Sequence, residues 1–298
     1  MKNHNLTKGN RDNRMGWLLA APFLVMFIVF KLIPMLYGIL ISFWGRNSAS
    51  KLSSTAFVGF RNFTNALTST TFWTCLGNSM EFALIYTVVI MFFGFIVAVL
   101  FNRKFHGRVF VRTCFYMPYV TNMIAVGVVF KYLLNPTRGP VNAIFRVLGV
   151  TAPKWLNSPT LALPTTAIIA AWAALAFNVI TCLAALQDIP KDLYEVSDLE
   201  GASFWQKIRY VVLPQLAPTL FMLLTITLIN SFKNYAVIVG LTGGGPGTAS
   251  RVLSLQIYED AFNNMKFSLA SAEGVLFTIV IIILNKAINV WRSAWERK

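Results

Sequence analysis

Charge is scarce in this 298-residue chain. Asp, Glu, Lys and Arg together make up 12% of it, about half the roughly 25% of a soluble domain. So few charges cannot cover a water-facing surface of this size, which excludes an ordinary soluble globular protein. Histidine is scarcer still. His4 sits in the N-terminal tail and His106 in a polar connector, and no His/Asp/Glu cluster falls inside an apolar run. This argues against a catalytic centre and a metal site, so no enzyme activity and no cofactor are expected. The three cysteines, Cys75, Cys114 and Cys182, lie far apart without a CxxC spacing, which excludes the usual thiolate metal sites and redox pairs. Thiols in apolar runs instead act as small buried hydrophobes. A Walker A sequence is missing throughout, so any energy from ATP must come through another subunit. A polar, basic domain is missing too, so the formal net charge of +15 does not point to nucleic acid.

Apolar residues are abundant, at 56%, with a mean hydropathy of +0.61. A membrane-spanning helix needs about 20 mostly apolar residues, and six runs qualify. They cover about 17–44 (interrupted by Lys31 and Pro34), 82–101, 113–134, 161–186, 211–235 and 267–285. The first is too long for a signal-peptide core and lacks a small-residue cleavage site. Six all-α spans leave both termini on one side. The N-tail, the loops after spans two and four and the C-tail together hold fifteen Lys and Arg. The opposite loops hold eight, and Lys31, Lys131 and Lys233 lie in or beside spans. Basic residues collect in cytoplasmic loops, so both termini are expected inside. The prediction is a multi-pass, all-α membrane protein with 1–298 as one transmembrane domain.

The inner loop at about 187–212 is distinctive. It carries five of the eleven acidic residues, Asp188, Asp192, Glu195, Asp198 and Glu200. Leu193, Val196 and Leu199 recur at helical spacing behind a candidate N-cap at Asp192. A charged amphipathic helix between two spans suits a docking element. The stretch from Asp192 to Pro214 resembles the EAA loop of ATP-binding-cassette importer permeases: Glu195, Gly201, Leu213 and Pro214 match in identity and spacing, Val196 and Ser197 replace the two alanines, and Glu200 replaces the usual Asp. The resemblance implies a type I importer permease fold and two short helices turning at Gly201. Glu195, Asp198, Glu200, Gly201 and Ala202 then become the contacts that couple this chain to a cytoplasmic ATPase.

A second stretch, Leu241-Thr-Gly-Gly-Gly-Pro246 with Ile257-Tyr258 and Ala261-Phe262 downstream, is similar to the carbohydrate-uptake branch, in particular to the larger permease of maltose-type and multiple-sugar pairs. The glycines are not a phosphate loop, because no Lys-Ser/Thr follows them. That resemblance implies a second, nonidentical permease, two ATP-binding subunits and an extracellular or periplasmic sugar-binding protein, in the inner membrane of a prokaryote. Matching the same motif puts Thr227, Ser231 and Asn234 at sugar-contacting positions. Matching Met117-Pro-Tyr119 and Ile189-Pro190 adds Tyr119, Trp172 and Phe177. Interhelical packing is the plain alternative for each. Glu81, Lys233 and Glu273 can line a cavity or pair with another chain, and Lys233 can also face an anionic sugar or glycerol phosphate. A six-span secondary transporter is the rival class, although it would need no acidic EAA-like loop.

Overall fold

A computed structural model describes residues 4–45, 56–103 and 105–295, with side chains from Met15 onward. Lys2, Arg46, Lys51, Lys104, Arg297 and Lys298 of the charge count lie outside the described residues. Within them the regular secondary structure is helical apart from one antiparallel bridge between Trp44 and Phe57. The helices are α1 (Met15–Ile41, the apolar part of a helix that starts in the tail), α2 (Arg61–Thr68), α3 (Thr70–Asn102), α4 (Arg108–Val120), α5 (Met123–Leu133), α6 (Pro140–Val147), α7 (Ala162–Gln187), α8 (Lys191–Leu199), α9 (Phe204–Phe232), α10 (Ala236–Leu241), α11 (Leu253–Tyr258) and α12 (Phe267–Trp295).

Five of these, α1, α3, α7, α9 and α12, are long and apolar enough to cross a bilayer. The third expected span is different. It is broken into α4 and α5, bent by 99° at Thr121–Asn122. The hydropathy is continuous across the break, but the backbone chemistry is not. Pro118 sits in the last turn of α4, and the Asn122 side chain accepts from the N–H groups of Ile124 and Ala125 at 2.9 and 3.3 Å, starting a new helix. Other limits also move. α3 begins at Thr70 rather than 82, capped by the Ser69 hydroxyl, and α12 continues to Trp295 rather than 285. π-Turns at Ile28–Leu32 and Ile208–Val212 lie just before Pro34 and Pro214. Proline cannot donate to the preceding turn, and a π-turn lets the helix continue past it.

The chain divides into two compact units. The first comprises residues 1–68 and 259–276. In it the end of α1 is tied to the segment before α2: Gly45 donates to the Ala56 carbonyl at 2.8 Å and Val58 to the Phe43 carbonyl at 2.9 Å. The Asn62 amide donates to the carbonyls of Ser42 and Trp44, and Phe43, Phe60 and Phe63 pack with centroids 5.1–5.8 Å apart. None of the apolar window of α1 is buried inside the chain.

The second unit comprises residues 69–258 and 277–298, and in it α7 packs against α3, α4, α9 and α10. Of the α7 apolar window 61% is buried, the highest share of any span. Its buried face is mostly small, with Ala162, Ala167, Ala170, Ala171, Ala173 and Ala176. Small residues let helices approach closely where apolar burial alone gives no preference over lipid. α3 lies against this face, and a Cβ added at Gly94 would meet the Asn178 Cβ at 3.2 Å. α5 and α10 approach still more closely, at Gly127 and Gly240. A Cβ on either glycine would lie 2.8–2.9 Å from the other helix's backbone, so both positions require glycine.

Candidate functional site

Five segments of the second unit converge on a cavity of about 290 Å³. α3 contributes Tyr86, α4 contributes Tyr119, and α5 contributes Met123. α7 contributes Ala174, Phe177 and Asn178. The end of α9 and the segment after it contribute Ile226, Thr227, Asn230, Lys233 and Asn234. The helix break is what brings Tyr119 and Met123 to the same space, one from each side of it. The Tyr119 and Phe177 rings stack at 6.1 Å with 18° between planes and form an aromatic wall. Asn178 and Thr227 are buried and face each other at 3.3–3.4 Å, each able to donate to the other.

Four of the six expected contact residues, Tyr119, Phe177, Thr227 and Asn234, line this cavity together. Trp172 and Ser231 do not. Trp172 is half exposed with its ring against the edge of Phe130 at 5.4 Å. Ser231 is buried, and its hydroxyl donates to the Leu228 carbonyl at 2.6 Å. Helical phase explains Trp172 and a local hydrogen bond explains Ser231, which otherwise shares the face of Thr227. Trp172 lies five residues before Phe177, about 140° around the helix from it, while Ser231 turns its hydroxyl back to its own helix. Tyr86 and Asn178 were missed, since each is a single polar group in an apolar run.

A second arrangement is the hairpin of α8 and the start of α9. The N-cap of α8 is Pro190 rather than Asp192, which lies within the first turn. There its carboxylate still favours the positive end of the helix. α8 ends in a Schellman motif. Gly201 has φ +71°, its N–H donates to the Asp198 carbonyl at 3.1 Å, and Ala202 donates to the Ser197 carbonyl at 2.9 Å. Ser203 and Gln206 then form a capping box for the next helical segment. Asp198 pairs with Lys207 across the turn. It therefore staples the hairpin, whereas Glu195 and Glu200, exposed like it, form no ion pair among the described residues. Tyr194 packs inward on the core and Ser197 is buried. Burial pushes the Tyr194 phenol above its ordinary range. Leu193, Val196 and Leu199 face outward, with Leu199 88% exposed. The apolar stripe of α8 is thus presented rather than buried.

The glycine-rich loop after α10 is a structured turn. Gly243, Gly244 and Gly247 have positive φ, and the Ser250 hydroxyl donates to the Gly245 carbonyl at 2.6 Å. α3 holds it in place through the Asn78 amide, which donates to the Thr248 and Arg251 carbonyls at 2.9 Å each.

Residues 90–298 match the family described as binding-protein-dependent transport system inner membrane component. The chain is 29% identical over 269 residues, covering 90% of each protein, to the probable starch degradation products transport system permease protein AmyD of Thermoanaerobacterium thermosulfurigenes. It is 30% identical over 270 residues to the sn-glycerol-3-phosphate transport system permease protein UgpA of Agrobacterium fabrum, covering 90% of this chain and 91% of that one. It superimposes with a TM-score of 0.80 at 25% identity on a chain of a bacterial alginate ABC transporter, crystallised with its alginate pentasaccharide-bound periplasmic protein. That match covers 94% of this chain and 95% of the other. A match over most of the chain's length, with full-length relatives that are permeases of sugar and related transport systems, places this chain in the binding-protein-dependent transport system inner membrane component family.

Proposed function

We propose that this chain is one of two nonidentical permease subunits of an ABC importer that carries a sugar or oligosaccharide into a prokaryotic cell across its inner membrane. Residues 1–298 act as one transmembrane permease domain. With the bent α4–α5 pair counted as one crossing, it has six spans and both termini in the cytoplasm. The cavity contributes part of the translocation pathway. The carrying observation is its chemistry: stacked aromatic rings, amides and a hydroxyl converge in one small space, the set that meets the faces and hydroxyls of a carbohydrate. Names among the relatives agree with that substrate class for starch degradation products and alginate, and one names glycerol phosphate, a small polyol phosphate.

The coupling element is the α8 hairpin. Its outward Leu193, Val196 and Leu199, flanked by Glu195 and Glu200, suit insertion into a cleft on a cytoplasmic ATPase, and Gly201 and Ala202 set the turn. Two such ATPase subunits hydrolyse ATP, and an extracellular or periplasmic binding protein delivers the substrate. Closure of the ATPases pushes on α8 and switches the spans between outward and inward access. This chain contributes pathway and coupling but no catalysis.

Reconstitution tests this reading. Proteoliposomes holding the two permeases and the ATPase should accumulate labelled oligosaccharide only with internal ATP and loaded binding protein. Uptake by this chain alone, driven by an ion gradient without ATP, would overturn the importer reading in favour of a secondary transporter.

A further inference from the structure

Lys233 follows the last turn of α9 and is the one cationic side chain lining the 290 Å³ cavity among the described residues. No Asp or Glu lines that cavity with it, and no described carboxylate pairs with its ammonium. Lys233 is exposed at the end of its span, where a long lysine can keep its charge in water, and what marks it is that it lines this cavity. The lysine ammonium is a compact, strongly hydrated point charge with three donors and no acceptor. Around it stand only neutral groups: the amides of Asn178, Asn230 and Asn234, the Thr227 hydroxyl and the Tyr86 and Tyr119 phenols.

Neutral amides and hydroxyls serve a charged or an uncharged carbohydrate equally well. The ammonium does not, because an anionic acceptor makes the stronger, charge-assisted bond. The Asn178–Thr227 hydrogen bond is long, at 3.3–3.4 Å, so it competes only weakly with an incoming hydroxyl. A lysine serving only to join two subunits would not require these donors to share its space.

We propose that this cavity takes a hydroxylated substrate bearing a carboxylate or phosphate, whose oxygens accept from the Lys233 ammonium while its hydroxyls meet the asparagine amides and Thr227. The inference rests on the permease reading above and narrows its substrate class.

The test uses the assembled transporter in proteoliposomes with three probes: a uronic-acid tetrasaccharide, its carboxyl-reduced neutral counterpart, and glycerol phosphate. Each is supplied at a concentration that saturates the binding protein. The wild-type complex should accumulate one of the two anionic probes at least tenfold faster than the neutral one, and which of them distinguishes carboxylate from phosphate. In Lys233→Gln that ratio should fall to near one, and Lys233→Arg should restore most of it. Equal accumulation of the neutral and anionic probes by wild type would overturn the inference and leave the importer intact. So would a Lys233→Gln complex whose permeases no longer co-purify while the ratio in the residual complex is unchanged, which would make Lys233 a subunit contact. Absence of ATP-dependent uptake of all three probes and of every other saccharide offered would instead sink the underlying permease reading.

Discussion

Asn234 and Thr227 share a cavity but stand in different physical positions. Asn234 is half buried and has no side-chain hydrogen bond to the described residues, so its amide is available to a substrate hydroxyl. A net hydrogen bond of this kind is worth about 0.5–1.5 kcal/mol, so Asn234→Ala should weaken uptake affinity about threefold to tenfold. The KM of binding-protein-dependent uptake measures it, and an unchanged KM would remove Asn234 from the pathway. Thr227 is only 2% exposed and bonded to Asn178, so its replacement would disturb packing as well as binding. Part of this cavity was legible before folding. Thr227 and Asn234 are seven residues apart, a spacing that would share a face if the helix continued, although α9 ends at Phe232. Tyr119 and Phe177 follow from the resemblance to the carbohydrate-uptake permeases through Met117-Pro-Tyr119 and Ile189-Pro190. Asn178 and Tyr86 were not legible, because a lone polar group in an apolar run carries no mark of which neighbouring helix it will meet.

The α8 hairpin was the more readable element, since its geometry is local. The Gly201 turn and the period of Leu193, Val196 and Leu199 follow from sequence spacing. The pairing of Asp198 with Lys207 depends on how tightly that turn closes, and spacing does not reveal it. The break between α4 and α5 was missed for the opposite reason. Hydropathy integrates over about 19 residues and runs straight through Thr121–Asn122, while the deciding signals are single residues, Pro118 and Asn122. Gly201 gives a graded prediction. No atom would crowd a Cβ there, but φ is +71°, so the penalty is conformational, about 1–2 kcal/mol for an ordinary L-residue. Asparagine tolerates this region and a β-branched side chain does not. Gly201→Asn should therefore keep most of the ATPase stimulation by loaded binding protein, Gly201→Asp should lose more, and Gly201→Val should lose nearly all. Equal activity across the series would show that the turn is only a connector.

How the bent α4–α5 pair meets the bilayer decides the orientation of everything after it. If the pair crosses once, the chain has six spans, and the α8 hairpin lies on the same side as the N-terminus. If the pair dips in and returns, only five spans cross. The hairpin and the C-terminus then lie on the far side, where no ATPase could reach α8. The distribution of basic residues separates the two cases. With one crossing, fifteen Lys and Arg of the tails and loops fall on the N-terminal side and eight on the other. With a re-entrant pair the division is thirteen to ten, because Lys191, Lys207, Arg209 and the four basic residues of the C-terminal segment change sides while Arg138, Arg146, Lys154, Arg251 and Lys266 replace them. Orientation follows the cytoplasmic excess of Lys and Arg, so the steeper division favours one crossing. Fusions of a side-sensitive reporter provide the measurement. A fusion after Asn102 should read as cytoplasmic in either case and serves as the internal standard. Fusions after Leu199 and Lys298 should also read as cytoplasmic, and fusions within 50–70 and 245–260 as external. An external signal at Leu199 and Lys298, with Asn102 still inside, would make the α4–α5 pair re-entrant and would leave the α8 hairpin without an ATPase to press against.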